Sequence, residues 1–223
     1  MPSISLSLSK SALANLVCRQ VNQFFPDDRP VVDEDIVCSF KSALERLEHC
    51  FVHVANKYFF DGKSAVFNHL HGDQNAIWLY FLANTLYREG ASADVCAKIF
   101  LLNKALHGCD IFYEVELPSI FLLVHPLGTV LGRGNYSDYF VAYQRCGIGS
   151  NRDIYPTLGA YVTLRPGSAI LGNSTIGQNC QIAAESLVLD CDLPENTLYI
   201  GQPKTAHIKQ NLAHYPLWRV QQE

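Results

Sequence analysis

The chain has 223 residues, 48% of them hydrophobic, and a formal net charge of −4 from 17 basic and 21 acidic side chains. That length holds one large domain or two small ones, with enough apolar content for a real core. The acidic balance and the lack of any Lys/Arg cluster argue against a nucleic-acid partner; no run of eighteen apolar residues is present to span a membrane.

Residues 1–109 read as a helical domain. The start, Ile4 to Lys10, alternates apolar and polar residues and lacks the basic start and long apolar stretch of a signal peptide. Ala12, Leu13, Leu16 and Val17 predict a short helix, closed by Phe25, Pro26, Asp27 and Asp28. Asp33 is the expected N-cap of a second helix, with Ile36, Val37, Phe40, Leu44, Leu47 and Phe51 on one face. Gly72 is expected to break the chain before a third helix, Asn75 to Arg88. A fourth is expected from Ala91 to Leu106, stopped at His107 and Gly108. His49 and His53 stand four apart, and His69, His71 and Asp73 cluster in a loop. Neither group has the full ligand set of a zinc site, so no metal is expected. The eight cysteines are irregularly spaced with no C-x-x-C pair. They read as buried thiols of a reducing compartment, and a cytoplasmic location is expected.

From Asp110 the pattern changes to short β segments with glycine and proline corners. Leu158, Leu164, Ile170, Ile176, Ile182 and Val188 stand six apart without a break. Val162, Ser168, Ser174, Cys180 and Ser186 follow the first five at a distance of four. No helix or ordinary sheet needs a period of six. A β-solenoid with triangular coils does: each coil turns three corners in about eighteen residues, one side per hexapeptide. The aliphatic residue points to the axis and the small one fills the inside of a corner. The earlier coils are less regular, through Leu117, Leu123 and Thr129, with a poor match from Asn135 to Tyr139. Residues 110–208 are therefore assigned to the solenoid and 209–223 to a C-terminal tail.

Several motifs in one order carry a resemblance. Asp110-Ile111 stands where a known family has an Asp-Ile-His-Pro segment, and His125 follows fifteen residues later. Gly128 and Val130-Leu131-Gly132 match a Gly-Ile-Val-Val-Gly, and Tyr155-Pro156 stands for a His-Pro. Ala169 to Asn173 nearly repeats Lys-Ile-Leu-Gly-Asn, and Gly201-Gln202-Pro203-Lys204 stands for a closing Gly-Val-Pro-Ala. Over roughly residues 70 to 208 the chain resembles the hexapeptide-repeat acyltransferases, and within them the serine O-acetyltransferases. The resemblance implies an α+β chain, a helical domain followed by a left-handed parallel β-helix. It also implies an acetyl-CoA-dependent acyltransferase with no metal, assembled as a homotrimer or a dimer of trimers.

Acyl transfer from a thioester to a hydroxyl needs a base, a group that orients the base, and N–H donors for the oxyanion. By the resemblance His125 is the base and Asp110 the orienting carboxylate, with Gly149 as backbone donor. Arg165, Ala183, Ala184 and Lys204 line the coenzyme groove. Two departures bear on the acceptor. Val124 stands where the family has the Asp that meets the substrate amino group, and Ile154 where it has the Arg that meets the carboxylate. Arg152 and Asp153 are the nearby charges that could replace them, and Tyr155 is the remaining acceptor-side residue. A site without paired charges holds a zwitterion poorly. The expected acceptor is therefore a sugar hydroxyl of a polysaccharide or nucleotide sugar. The alternatives are serine and a catalytically silent trimeric scaffold.

Overall fold

The computed structural model describes residues 4–212 and 217–219, and the chain divides into two compact units. One comprises the described residues up to His107 together with 217–219; the other runs from Gly108 to Leu212.

The first unit contains β1 (Ser5–Leu6), α1 (Lys10–Phe24), α2 (Asp33–Phe51), β2 (Val66–Phe67), α3 (Gly72–Arg88) and α4 (Ala93–His107). Ser9 caps α1 by accepting the Ala12 N–H at 3.2 Å. The expected cap of α2 is displaced by one residue. Val32 occupies the cap and its N–H donates to the Asp35 carboxylate at 2.9 Å, while Asp33 lies in the first turn. Three carboxylates there face the positive end of the helix dipole. α3 starts at Gly72, so that glycine opens the helix rather than breaking the chain before it. From Gln74 to Leu86 it is buried on every side, which makes it the central element of this unit. Phe40 meets Trp78 edge-on at 5.0 Å. Lys98, almost wholly buried, donates to Asp27 at 2.6 Å and ties the loop after α1 to α4. That bond holds the Asp27 carboxyl below the usual range. His53 places Nδ1 at 2.7 Å from the His49 carbonyl, and His69 Nδ1 lies 2.8 Å from the Ser7 hydroxyl. Among the described residues no group of three or more His, Cys, Asp or Glu is placed to hold a metal ion, and no helix is long and apolar enough to cross a membrane.

The second unit is a parallel β-helix of about four turns. Its strands are β3 (Phe121–Leu123), β4 (Val130–Leu131), β5 (Phe140–Ala142), β6 (Gly147–Gly149), β7 (Thr157–Leu158) and β8 (Thr163–Leu164). Then follow β9 (Ala169–Leu171), β10 (Thr175–Ile176), β11 (Gln181–Ile182), β12 (Leu187–Leu189), β13 (Thr197–Ile200) and β14 (His207–Gln210). They form three faces. One is β3-β5-β8-β11-β13, closed by antiparallel β14; the second is β4-β6-β9-β12; the third holds β7 and β10. Leu158 pairs with Ile176, Leu164 with Ile182 and Ile170 with Val188, each eighteen residues on. All six ladder residues are at most 1% exposed, and the five small residues four positions on are at most 2%. The axial core and the corner fillers are thus the residues that the period of six picks out.

The strand β14 begins at His207, so the segment expected as a tail starts inside a strand. Of residues 209–223, 213–216 and 220–223 lie outside the described residues. Residues 217–219 belong to the first unit, where the Leu217 carbonyl accepts the Ala55 N–H and Trp218 bridges Val54. All eight cysteines are free. Six are buried, Cys191 is half-buried and Cys38 is exposed, which corrects the expectation that all are interior thiols. Cys38 lies on α2 outside its apolar stripe.

Candidate active site

Four residues suffice to join the first face to the second in the upper coils: Tyr143–Cys146, Arg165–Ser168 and Ala183–Ser186. The lowest corner, Val124 to Thr129, takes six. In the four-residue corners the third residue has a positive φ: Arg145 at 57°, Gly167 at 74° and Glu185 at 57°. Gly128 at 74° holds that position in the lowest corner, and His125 at 49° is an additional left-handed residue before it. Leu127 donates its N–H to the His125 carbonyl at 2.7 Å, and Thr129 donates to Pro126 at 3.0 Å. The expansion, His125 with Pro126, carries the imidazole on an exposed bulge. A non-glycine residue in that region costs of order 1 kcal/mol and persists where surrounding bonds fix it.

Asp110 sits one coil below this corner. Its N–H donates to the Thr129 carbonyl at 2.8 Å and its carbonyl accepts from Leu131 at 2.9 Å. Gly128 donates to the Gly108 carbonyl at 2.8 Å. The half-buried Asp110 is thus stapled under the corner that carries His125, although fifteen residues separate them. The Thr129 side chain is wholly buried, and its hydroxyl donates to the Tyr143 carbonyl at 2.7 Å while accepting from Cys146 N–H at 3.2 Å.

Arg165, Ala183 and Ala184 lie on the same edge of the solenoid, in the corners above His125, and Lys204 lies in the closing turn above them. Arg165 Nη2 donates to Gln181 Oε1 at 3.0 Å, and its guanidinium lies 5.1 Å from the centre of the Tyr143 ring. Thr129 was not picked out by the sequence as a site residue.

The remaining candidates occupy the other edge of the second face. Gly149 ends β6 in register with Leu171. In this parallel ladder Gly147 donates to Ser168 and Gly149 accepts from Gly172, the alternation that turns the Gly149 N–H into the sheet. Gly149 thus ends β6 as a ladder residue, directly before the turn that starts at Asn151. Asn151 and Ile154 exchange both backbone bonds at 3.1 Å, and Arg152 and Asp153 between them have φ of 53° and 60°. This is a two-residue turn of the left-handed type used by tight hairpins. It projects as a finger with Arg152, Asp153, Ile154 and Tyr155 all exposed. Asn151 Nδ2 braces its base by donating to Asp190 at 2.6 Å. Within one chain, the finger and the His125 corner stand at opposite ends of the β4-β6-β9-β12 strands and do not meet.

Relatives and solved structures agree on what this arrangement is like. The chain is 32% identical over 107 residues to the serine acetyltransferase of Synechococcus elongatus, a match spanning 46% of this chain and 43% of that relative. It superposes on the serine acetyltransferase of Vibrio cholerae with a TM-score of 0.69 at 22% identity, covering 89% of this chain and 78% of that one. The serine acetyltransferase of Brucella abortus in complex with coenzyme A gives 0.66 at 22% identity, covering 92% and 83%. No protein-family model matches the chain. By its fold and by the sequence of its solenoid the chain is a hexapeptide-repeat protein, with helices leading into a left-handed parallel β-helix. Among such proteins it is serine O-acetyltransferase-like.

Proposed function

We propose that this chain is an acetyl-CoA-dependent O-acetyltransferase and that its acceptor is the hydroxyl of L-serine. The observation that carries the reading is the expanded corner: an exposed imidazole on an inserted bulge, with a carboxylate residue stapled one coil below. The serine acetyltransferases it resembles support both the activity and the acceptor.

In this reading His125 takes the hydroxyl proton as the oxygen attacks the thioester carbonyl. An imidazole suits this because its ordinary pKa lies near neutrality. The tetrahedral centre collapses with cleavage of the carbon–sulfur bond, and the imidazolium returns its proton to the leaving thiolate. Asp110 is a positioning carboxylate that steadies the imidazolium. Arg165, Ala183, Ala184 and Lys204 form the donor edge above His125. On the acceptor side Arg152 and Asp153 offer the opposite charges that a zwitterionic amino acid needs, in place of the charges absent at Val124 and Ile154. Because finger and corner occupy opposite edges of one face, a complete site takes the finger of a neighbouring copy, and a threefold ring of chains supplies three such sites.

A second reading keeps the chemistry and exchanges serine for a sugar hydroxyl. Val124 beside His125 and the exposed Ile154, apolar where an amino acid would want charge, favour it. The relatives speak for serine. Thiol release from acetyl-CoA, with L-serine and then a panel of sugars and nucleotide sugars, separates the two. Turnover on serine that disappears in His125→Ala upholds the first reading. Turnover on sugars alone replaces it with the second. Coenzyme A that fails to bind makes the chain a scaffold.

A further inference from the structure

The backbone ladder of the first face runs on into its corners. Val124 donates to the Ala142 carbonyl at 2.9 Å, Tyr143 to Leu164 at 3.1 Å, Arg165 to Ile182 at 3.0 Å and Ala183 to Tyr199 at 2.9 Å. Val124, Tyr143, Arg165 and Ala183 therefore form one column along the edge, spaced by the roughly 4.8 Å between neighbouring strands. His125 follows Val124 directly, so Tyr143 is the residue of this column one coil above the candidate base.

Tyr143 is held from both sides. Arg165 lies over its ring at 5.1 Å and is itself fixed by Gln181 at 3.0 Å. Its carbonyl accepts the Thr129 hydroxyl at 2.7 Å, which ties it to the His125 corner. The ring is half-buried. A guanidinium on an aromatic face orients both groups, and a braced ring presents contact area at little entropic cost.

We propose that Tyr143 is a specificity-determining residue that packs against the thioester end of the acyl donor. The proposal rests on the acetyltransferase reading of the same edge. A donor stretched along the edge from Lys204 and Ala183 to His125 has to pass Arg165 and Tyr143, because both stand in the one column between them. Its last segment, the thioester and the chain that leads to it, lies at the Tyr143 ring. The acceptor lies at the level of Val124 and His125, one coil below the Tyr143 ring.

Steady-state kinetics on Tyr143→Ala and Tyr143→Phe, with direct calorimetry of coenzyme A binding, test this. Removing the ring is expected to raise the KM for acetyl-CoA and the coenzyme A Kd about tenfold, with the acceptor KM within twofold. Tyr143→Phe keeps the ring and is expected to recover most of the donor KM. Unchanged donor parameters in Tyr143→Ala, or a shift in acceptor KM alone, overturn the proposal. His125→Ala run in parallel keeps the two readings apart. Full activity in that variant defeats the assignment of the base, while the calorimetry still reports on Tyr143. A variant that loses its thermal transition is replaced by Tyr143→Leu, expected to show the same donor defect.

Discussion

The lowest coil and the coils above it solve the same geometric problem differently. From Leu158 to Val188 each coil takes eighteen residues, each corner between the first two faces takes four, and every ladder side chain is buried. The lower part lengthens this in two places. Two residues enter the corner at His125, and the coil that links Ala142 to Leu164 takes twenty-two residues, the additional four being Asn151–Ile154. Both departures place polar or titratable side chains in solvent, His125 on one edge, Arg152 and Asp153 on the other. Regularity serves stability here, and its interruptions carry the candidate chemistry.

The largest effect that tests this contrast is His125→Ala. Loss of a general base costs about 10²- to 10⁴-fold in kcat. The side chain is exposed, so the melting temperature is expected to stay within about 2 °C of the parent. A variant that loses activity and fold together would show that the bulge is a structural corner, and the contrast would fail.

The opposite result is expected in the regular coils. Ile170 is wholly buried between Ile148 and Val188, and Ile170→Ala should cost about 2–5 kcal/mol in denaturant unfolding. Gly159 packs against the coil above so closely that an added Cβ would lie 2.7 Å from Gln178 N and 2.9 Å from the Gly177 carbonyl carbon. These are backbone atoms and cannot swing aside, so Gly159→Ala should cost about 1–3 kcal/mol. Equal damage to catalysis and stability from both substitutions is the outcome that would blur the two regions.

The same contrast decides what was legible in the sequence. The period of six specifies an axial core without further information, because a residue that misses the axis leaves a cavity in every coil it touches. Counting sixes back from Leu158 lands on Arg152, an exposed finger residue, whereas the inward partner of Ile170 is Ile148. The inserted residues shift the phase, and a single sequence carries no marker for where a coil has been lengthened. Asp110 and His125 were legible through the resembling motif and their spacing of fifteen, a little under one coil, whereas the backbone bonds of Gly128, Thr129 and Leu131 that stack the two levels were not. The place of Tyr143 in the column above Val124 depends on the same shifted phase.

Arg152→Ala follows in size. If the finger meets the acceptor carboxylate, the serine KM should rise about tenfold with the donor KM unchanged, the loss of a charge-assisted bond. Lys in its place should recover part of the effect, since the charge survives and the planar fork does not. Turnover that is indifferent to Arg152 would confine the site to the His125 edge and remove the reason for a neighbouring finger.

The smallest effect belongs to a strap on the His125 edge. Arg145 Nη2 donates to Glu185 at 2.5 Å across two coils, passing over Gly167. Both side chains are more than 60% exposed, so Glu185→Gln should cost no more than about 1 kcal/mol, and less at high salt. Gly167 makes the strap possible. An added Cβ there would lie 2.6 Å from the Glu185 carboxyl carbon, the far end of a flexible side chain that can move off. Gly167→Ala is then expected to break the same contact and to add roughly 1–2 kcal/mol for a side chain at a φ of 74°. The two substitutions share one interaction, so the double variant should cost less than the two singles together. Additive costs in denaturant unfolding would mean that the strap contributes nothing and that the glycine is required for its backbone alone.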